Sequence, residues 1–337
     1  MRSRTKVEVD HASLELLVRE LLPDRAPLVA ARPLTDGMFN AAYVARLGDG
    51  SDVVVKVAPP PDVPVLTYER DLMQAEVAFS TRAEGVVPVA RVLGADLTRS
   101  LIGRDVFVME HLRGAPLTAA RRRMPKAGRD AVRRQLGALV ARLRGVTGER
   151  FGYDRPDGAL AAETWSGALE LMVRALLDDA GTHGVRVPAA ARRLPDLVAA
   201  AAPELDTVRT PVLTHFDLWD GNVFVVDDGN GYRVEAVVDG ERAFWGDPLA
   251  ELASTALFRD PADDTAFLRG FAEAAGHPLD LGPGPAVRLG LYRAYLYLVM
   301  VVERAPRQYH GLESRAVDVF VRNRLARELR VLRRALA

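Results

Sequence analysis

Two short apolar segments that enclose a polar loop near residue 220 restrict the fold of this chain more than any other feature. Residues 212–214 and 223–226 are apolar or β-branched, and the loop between them, residues 215–222, reads His-Phe-Asp-Leu-Trp-Asp-Gly-Asn. An Asp/Gly-rich turn follows, and a third apolar segment, residues 234–238, ends at Asp239. Short β-branched segments separated by Asp and Gly clusters are typical of strands joined by tight turns. The pattern therefore predicts a small, rigid sheet that presents polar residues at its loop ends.

The polar residues of this region are spaced in a way that suits phosphoryl transfer. His215, Asp217 and Asn222 follow the pattern H-x-D-x-x-x-x-N, and Asp239 lies beyond the predicted hairpin. Phosphoryl transfer requires positioning, neutralisation of phosphate charge and a carboxylate that takes the proton of the attacking hydroxyl, a role that suits Asp217. Mg²⁺ prefers oxygen ligands, which Asp239 and the amide oxygen of Asn222 can supply. We group His215 with the catalytic residues and expect its ring to brace the loop backbone.

The sequence changes character after residue 114. The first third predicts strands at residues 40–47, 53–57, 89–93 and 105–109 and helices at residues 14–22 and 66–82. The later part predicts helices at residues 130–145, 165–180, 189–201, 248–259, 264–275, 286–303 and 312–337, interrupted by the small sheet. A chain of 337 residues is too long for one compact core. We therefore predict an α+β fold of two lobes, the first β-rich and the second mainly helical.

The composition excludes several classes of function. The 45 basic and 45 acidic residues balance, which argues against a nucleic-acid or anionic-membrane surface. The absence of cysteine excludes disulfides, thiolate metal sites and cysteine nucleophiles. The N-terminus lacks the apolar core of a signal peptide, and the longest apolar run, residues 289–302, contains Arg293 and is too short to span a bilayer. We expect a cytoplasmic protein that binds neither nucleic acid nor membrane and is a monomer or a simple dimer.

Lysine is rare in this chain, and one lysine stands in an unusual place. Only three of the 45 basic residues are lysine, at positions 6, 56 and 126. Lys56 lies in the middle of a predicted strand that is otherwise apolar. A charge in such surroundings is costly unless it is paired. Because Lys and Arg are not interchangeable at tight sites, Lys56 is a candidate functional residue.

The loop at residues 215–222, Asp239 and the segment Trp-Gly-Asp-Pro-Leu-Ala-Glu-Leu at residues 245–252 together resemble the aminoglycoside phosphotransferase and choline kinase-like family. That family shares the protein-kinase-like fold and includes kinases of antibiotics, choline and fructosamines. The resemblance covers nearly the whole chain and implies Asp217 as the catalytic base, with a structural role for Asp247. Gly240 departs from the aromatic residue that the family usually has after the metal-binding Asp.

The resemblance also implies a division of the chain and two metal ligands. It places a nucleotide-binding lobe at residues 1–109, a hinge at residues 110–114 and a catalytic, substrate-binding lobe at residues 115–337. The resemblance implies Asn222 and Asp239 as the ligands of Mg²⁺. ATP is the expected phosphate donor, and GTP is not excluded.

Nucleotide contacts in the first lobe follow from the same resemblance. Lys56 is at the position that contacts the α- and β-phosphates, and its carboxylate partner belongs on the next helix. Glu69 and Glu76 are seven residues apart and share one helical face, so periodicity leaves both open, while the family places the partner at about Glu76. Residues 34–43 resemble the loop that covers the phosphates, and residues 108–114 resemble the hinge. The implied backbone contacts to phosphate and adenine are those of Gly37, Met38, Phe39, Glu110 and Leu112.

Recognition of the acceptor is expected from the helical part of the second lobe. Carboxylates there suit a cationic acceptor and aromatic side chains suit a sugar or a nucleobase. The candidates are Asp220, Trp165, Asp179, Tyr292 and Glu303, with Asp178, Tyr295 and Arg304 as further possibilities.

The function that these observations favour is ATP- and magnesium-dependent phosphorylation of a hydroxyl on a small molecule. An antibiotic is the first candidate, for resistance or self-protection, and a metabolic sugar derivative or amino alcohol is the alternative. An inactive, nucleotide-binding kinase fold is disfavoured because Lys56, Asp217 and the two metal ligands are all present. A protein kinase is disfavoured because the Gly-Asp-Pro turn at Gly246 follows Asp239 too closely for a long activation segment.

Overall fold

A five-stranded antiparallel sheet forms the first part of the molecule. The computed structural model describes residues 7–34, 39–307 and 311–337. The sheet has the order β1-β2-β3-β5-β4, with two helices packed on it. The elements are α1 (His11–Leu21), β1 (Leu28–Leu34), β2 (Ala41–Leu47), β3 (Asp52–Val57), α2 (Leu72–Ala83), β4 (Val92–Asp96) and β5 (Val106–Glu110). The central strand β3 is apolar and buried on both sides of Lys56, so its lysine is held inside the molecule.

Helices dominate the rest of the chain, and two small sheets lie among them. The sheet orders are β11-β10-β6 and β8-β7-β12-β9. The strands are β6 (Ala115–Pro116), β7 (Phe151–Gly152), β8 (Ala161–Ala162), β9 (Val212–Thr214), β10 (Val223–Asp227), β11 (Tyr232–Val237) and β12 (Phe244–Gly246). The helices are α3 (Leu117–Ala120), α4 (Lys126–Leu143), α5 (Trp165–Thr182), α6 (Leu194–Ala200), α7 (Ala202–Leu205), α8 (Glu251–Thr255), α9 (Thr265–Ala275), α10 (Pro283–Val302), α11 (Arg304–Arg307) and α12 (Leu312–Ala335).

The predicted α+β, two-part architecture is confirmed, while several element ends differ from the prediction. Strand β1 was not predicted, because its exposed face and Pro33 hide the alternation that marks a strand. The helix predicted at residues 66–82 begins only at Leu72, because Asp71 adopts a left-handed backbone conformation with φ of 59°. The helix predicted at residues 189–201 is a 3₁₀ turn followed by α6. The lobe boundary at residues 110–114 stays a prediction.

The apolar helix α10 is the centre of the helical part. The longer segment that contains the run at 289–302, residues 283–307, is long and apolar enough to cross a membrane by length and composition, a test that a buried core helix also passes. In the fold, 67% of the apolar window is buried, and α10 packs against α5 and α12. A core helix that is apolar on all sides is expected where neighbouring helices cover it.

Candidate active site

The loop between β9 and β10 is held from beneath by the start of α8. The Glu251 carboxylate accepts hydrogen bonds from the backbone N–H groups of His215 and Phe216. The Ser254 hydroxyl accepts a third, from the backbone of Leu218 at 3.0 Å. These contacts hold Phe216 in a left-handed conformation with φ of 61°, which a bulky residue rarely adopts without such support. The loop is therefore a rigid platform rather than a free turn.

The imidazole of His215 joins this loop to the strand that precedes Asp239. Its Nε2 donates to the Val238 carbonyl at 3.0 Å, and its Nδ1 accepts from the Asp217 backbone N–H at 3.2 Å. Burial lowers the pKa of His215 to about 4, so the ring is neutral near pH 7. This geometry is that of a backbone brace.

Asp217 and Asn222 lie side by side at the surface of the platform. The Asn222 Nδ2 donates to the Asp217 carbonyl at 2.9 Å and to its Oδ2 at 3.2 Å. This arrangement leaves the amide oxygen of Asn222 free to face a cation. Burial raises the pKa of Asp217 to about 6, although attraction by Arg242 opposes the shift. A partly buried carboxylate with such a pKa is suited to accept a proton near neutral pH.

Lys56 brings the first sheet and the polar loop together. Its Nζ lies 2.6 Å from Glu76 Oε1 on α2 and also contacts the Asp239 carboxylate. Burial alone would lower the pKa of Lys56, but attraction by Asp239 and Glu76 outweighs it and raises the pKa. The same lysine lowers the pKa of Asp239 against the effect of burial. Of the two candidate partners, Glu76 on α2 contacts Lys56, and Glu69, in the turn before α2, contacts Arg307 instead.

The donor set beside Lys56 fits a magnesium ion that is shared with phosphate oxygens. Asp239 has a left-handed backbone conformation with φ of 60°, and its side chain is 37% exposed. Asp239 and the amide oxygen of Asn222 are hard oxygen ligands at the open end of the hairpin, opposite its turn. Among the described residues no group of three or more His, Asp or Glu side chains could hold a metal by itself. Two protein ligands are what Mg²⁺ needs where substrate phosphates and waters complete its coordination.

Two residues of the site were missed by sequence reasoning, Glu241 and Arg242. The Arg242 guanidinium lies 3.4 Å from Asp217 and 2.7 Å from Glu303 on opposite sides. The Glu241 carboxylate accepts from Asn40 at 3.4 Å, and its pKa is raised to about 8 by burial and then by the charge of Asp239. The sequence marked these two residues only by their position, two and three residues after Asp239. Arginine is common in this chain, so Arg242 did not stand out.

A buried chain of ion pairs continues from Arg242 away from the loop. Glu303 contacts Arg307 at 3.3 Å, and Arg307 in turn contacts Glu69. The side chains of Glu303, Arg307 and Glu69 are at most 9% exposed. Glu303, predicted to bind the acceptor, therefore has two arginine partners inside the protein.

Three other predicted acceptor residues are buried in the protein. Trp165 is fully buried and donates to the Tyr292 hydroxyl at 2.6 Å, and Tyr292 donates to Asp247 at 2.7 Å. Asp179 accepts from the backbone and hydroxyl of Thr67 at 2.7 and 2.8 Å. These polar atoms are already engaged, which removes them from the cleft surface.

The remaining predicted residues lie at separate places in the fold. Asp220 forms ion pairs with Arg121 at 3.1 Å and Arg133 at 3.5 Å. Phe39 is buried with the Arg307 guanidinium 5.3 Å from its ring, while Gly37 and Met38 lie outside the described residues. Glu110 ends β5, and Leu112 follows it, half-buried against the sheet. Asp247 caps the turn before α8 by accepting from the backbone of Leu249 at 2.9 Å.

The fold and the site together define an enzyme of the small-molecule phosphotransferase class. Residues 30–291 match the model of the phosphotransferase enzyme family named APH, and the chain belongs to that family. No curated protein matches the sequence.

Solved structures of similar fold cover almost the entire chain. A candidate fructosamine-3-kinase from Thermobifida fusca YX-ER1 is 24% identical, with 95% of this chain and 100% of that chain covered and a TM-score of 0.65. A candidate aminoglycoside phosphotransferase from Ralstonia eutropha JMP134 is 15% identical, with coverages of 97% and 99% and a TM-score of 0.66. A macrolide 2'-phosphotransferase from Brachybacterium faecium is 21% identical, with coverages of 93% and 98% and a TM-score of 0.56. At these identities the likeness establishes the fold, and the acceptor has to be argued from this chain's own residues.

Proposed function

We propose that this protein transfers the terminal phosphoryl group of ATP, with Mg²⁺, to a hydroxyl of a small molecule. The observation that carries the proposal is the convergence of Lys56, Glu76 and Asp239 with Asp217 and Asn222, close enough for the Asp239 charge to act on Asp217. The first three residues come from both parts of the molecule and form a cation flanked by two carboxylates. A lysine, a metal-binding Asp and a separate Asp beside an Asn are the parts that phosphoryl transfer requires.

Each residue has a definite role in this proposal. Lys56, positioned by Glu76, binds the α- and β-phosphate oxygens of the nucleotide. Asp217 orients the acceptor hydroxyl and takes its proton at a carboxylate oxygen, while Arg242 holds Asp217 in place. Asn222 and Asp239 would hold Mg²⁺, which neutralises phosphate charge when bound.

ATP is the phosphate donor in this proposal, and GTP is the alternative. Among proteins of similar fold, an aminoglycoside phosphotransferase is known in a ternary complex with streptomycin and ATP, and another binds GDP. These complexes support a nucleotide in the corresponding cleft of this chain.

The acceptor that fits the site best carries an uncharged, hydroxylated ring. Glu303, a carboxylate whose charge acts on Asp217, is paired with both Arg242 and Arg307, so it offers no free charge to a polycationic acceptor. Trp219 stands two residues after Asp217, is 39% exposed and lies over Gly221, where a Cβ would meet its ring at 2.2 Å. An exposed indole beside the base is suited to pack against a sugar-like ring. We propose an antibiotic with such a ring as the first candidate, and a sugar derivative as the second because Trp219 suits both.

A coupled ADP-release assay tests the reaction and the acceptor class together. The panel contains macrolides, aminoglycosides, nucleoside antibiotics, amino alcohols and ketosamines, each with MgATP, MgGTP or ATP in EDTA. We expect magnesium-dependent turnover with one class of neutral or weakly charged acceptor and none in EDTA. An Asp217→Asn protein measures background hydrolysis. Turnover restricted to aminoglycosides would contradict the acceptor argument, and absence of MgATP binding by calorimetry would contradict the kinase proposal.

Substitution of Trp219 tests the proposed acceptor contact. We expect Trp219→Ala to raise KM for the acceptor at least tenfold, about 1.4 kcal/mol, with KM for MgATP unchanged. The control is Phe320→Ala, which removes an exposed aromatic side chain on α12. Trp245 is unsuitable as a control because its ring packs on Gly148. An equal rise in both KM values would assign Trp219 a structural role.

A further inference from the structure

A cavity of about 340 Å³ lies beside the first turn of α2 and borders the predicted nucleotide loop at Phe39. Its walls are the connection from β3 to α2, the turn between β4 and β5, and the end of the loop before β2. The lining combines prolines and valines of the connection with three arginines, Arg70, Arg99 and Arg104. Lys56, Asp217 and Asp239 are not part of its lining. The volume is in the range of small-molecule sites, which are mostly apolar with a few placed polar groups.

The acidic groups that line this cavity are already neutralised. Asp105 accepts from Arg99 at 2.9 and 3.1 Å, and Asp71 lies 3.5 Å from the same guanidinium. Asp71 is also 3.7 Å from the Arg155 guanidinium. The third acid, Glu69, is held by the buried Arg307. Because these three carboxylates are paired with other arginines, they do not compensate the charge of Arg104.

Arg104 supplies that charge. Its Nη1 is buried and has no hydrogen-bond partner in the described part of the chain. A buried donor that is left unsatisfied costs about 1–3 kcal/mol, and more when it is charged. A second unsatisfied atom, Oδ1 of Asn40, belongs to a residue that is only 7% exposed and lines the same cavity. The cavity thus presents a buried cationic donor and a buried acceptor that have no hydrogen-bond partner among residues 7–34, 39–307 and 311–337.

The start of α2 adds further donors to the same cavity. Asp71 precedes this 12-residue helix, and its side chain makes no capping hydrogen bond. The first backbone N–H groups of a helix have no partner within the helix, and they attract anions. Leu72 and Met73, the first two residues of α2, line the cavity.

We propose that this cavity binds a small organic carboxylate that also carries a hydroxyl and an apolar body. The carboxylate pairs with Arg104 and the N-terminus of α2, the hydroxyl donates to Asn40, and the apolar body packs on the prolines and valines. The inference does not depend on which acceptor the active site uses.

The position of the cavity also gives the ligand a route to the nucleotide site. Met73 lines the cavity, and Glu76, which contacts Lys56, follows one turn later on the same helix. Occupancy of the cavity and binding of MgATP are therefore expected to be coupled, and such coupling is reciprocal.

Binding is tested by isothermal titration calorimetry with mandelate, an aryl hydroxy acid, on the full chain. We expect mandelate to bind with a Kd of about 1 mM or tighter, and uncharged benzyl alcohol to bind at least tenfold more weakly. Arg104→Ala should weaken mandelate at least tenfold, and Arg104→Lys should restore part of the affinity. Arg46→Ala, on the exposed side of β2, is the matched control and should bind as the wild type does.

Two outcomes overturn the site itself. They are no heat of binding by the wild type at roughly ten times the expected Kd, and an Arg104→Ala protein with a wild-type melting temperature and undiminished affinity. For the coupling, mandelate Kd is measured with and without a non-hydrolysable ATP analogue and Mg²⁺. A change of threefold or more is expected, and equal values would overturn the effector role. None of these readouts requires turnover, so failure of the proposed kinase reaction would be seen separately.

Discussion

At the scale of single residues, Asp217 is subject to opposing influences, since burial raises its pKa and Arg242 lowers it. We expect Asp217→Asn to reduce kcat by about 10²–10⁴-fold, because the acceptor hydroxyl loses its proton acceptor. The Kd for MgATP should stay within threefold, since Lys56 and Asp239 are untouched. Steady-state kinetics and calorimetry measure the two quantities, with the exposed Asp227→Asn as control. A kcat within about tenfold of wild type, a barrier change of only ~1.4 kcal/mol, would show that another group is the base.

His215 makes a pH-dependent contribution to stability. Burial lowers its pKa from 6.5 to about 4 in the folded state, so between these values the unfolded chain binds the proton and the folded chain does not. Stability from this group is therefore complete above pH 6.5 and is lost as the pH falls toward 4, by up to about 3 kcal/mol.

The corresponding experiment compares urea unfolding of wild type and His215→Gln from pH 4 to 7. The wild-type free energy of unfolding should fall more steeply toward acid than that of the variant, because Gln does not titrate. Curves of equal slope would mean that the ring is not neutral in the folded protein.

At the scale of elements, the crossing of α4 and α9 depends on two glycines. A Cβ on Gly270 would lie 1.8 Å from the Arg134 carbonyl oxygen, and one on Gly137 would lie 2.0 Å from that of Phe267. The backbones of the two helices therefore touch, and Gly270→Ala must separate them. We expect a loss of about 1–3 kcal/mol in unfolding free energy, measured in urea.

Gly181 is the matched control for this substitution. It also lies in a helix, α5, but a Cβ there meets nothing within 4 Å. Gly181→Ala should stabilise the protein by up to about 1 kcal/mol, because alanine has the higher helix propensity. Equal effects of the two substitutions would contradict a close contact between α4 and α9.

At the scale of the whole molecule, the buried ion-pair chain ties the catalytic loop to the segment before α2. It runs from Asp217 through Arg242, Glu303 and Arg307 to Glu69, and the Arg242 Nε has no hydrogen-bond partner in the described residues. Arg242→Met should destabilise the fold by about 3–5 kcal/mol, because it leaves buried carboxylates with less compensation.

A double-mutant cycle measures the coupling. Arg242→Met combined with Glu303→Gln should cost less than the sum of the single substitutions, by at least about 1 kcal/mol in urea unfolding. The exposed pair of Arg174 and Glu170 on α5 is the comparison, and Arg174→Met there should cost at most about 1 kcal/mol. Strict additivity at Arg242 would show that the chain contributes no coupled stability.

The predictability of the fold varied with the kind of signal in each segment. Strands β9 and β10 are short apolar runs bounded by polar turns, and their positions were predicted to within one residue. Strand β1 carries Arg32 and Pro33 on an exposed edge, so nothing in its pattern marked it. The start of α2 depends on the left-handed Asp71, a conformation that composition does not reveal.

The sequence by itself determined the local part of the site. His215, Asp217 and Asn222 share one short loop between two strands, and Asp239 returns to it across a hairpin, so spacing alone brings them near each other. Tertiary structure decided which distant groups meet. Lys56 and Asp239 are 183 residues apart in sequence. Glu69 pairs with Arg307 across 238 residues, so Glu76 is the helix carboxylate that contacts Lys56. Periodicity places a side chain on a face of its own element, whereas the partner of a buried charge is selected only when whole elements pack together.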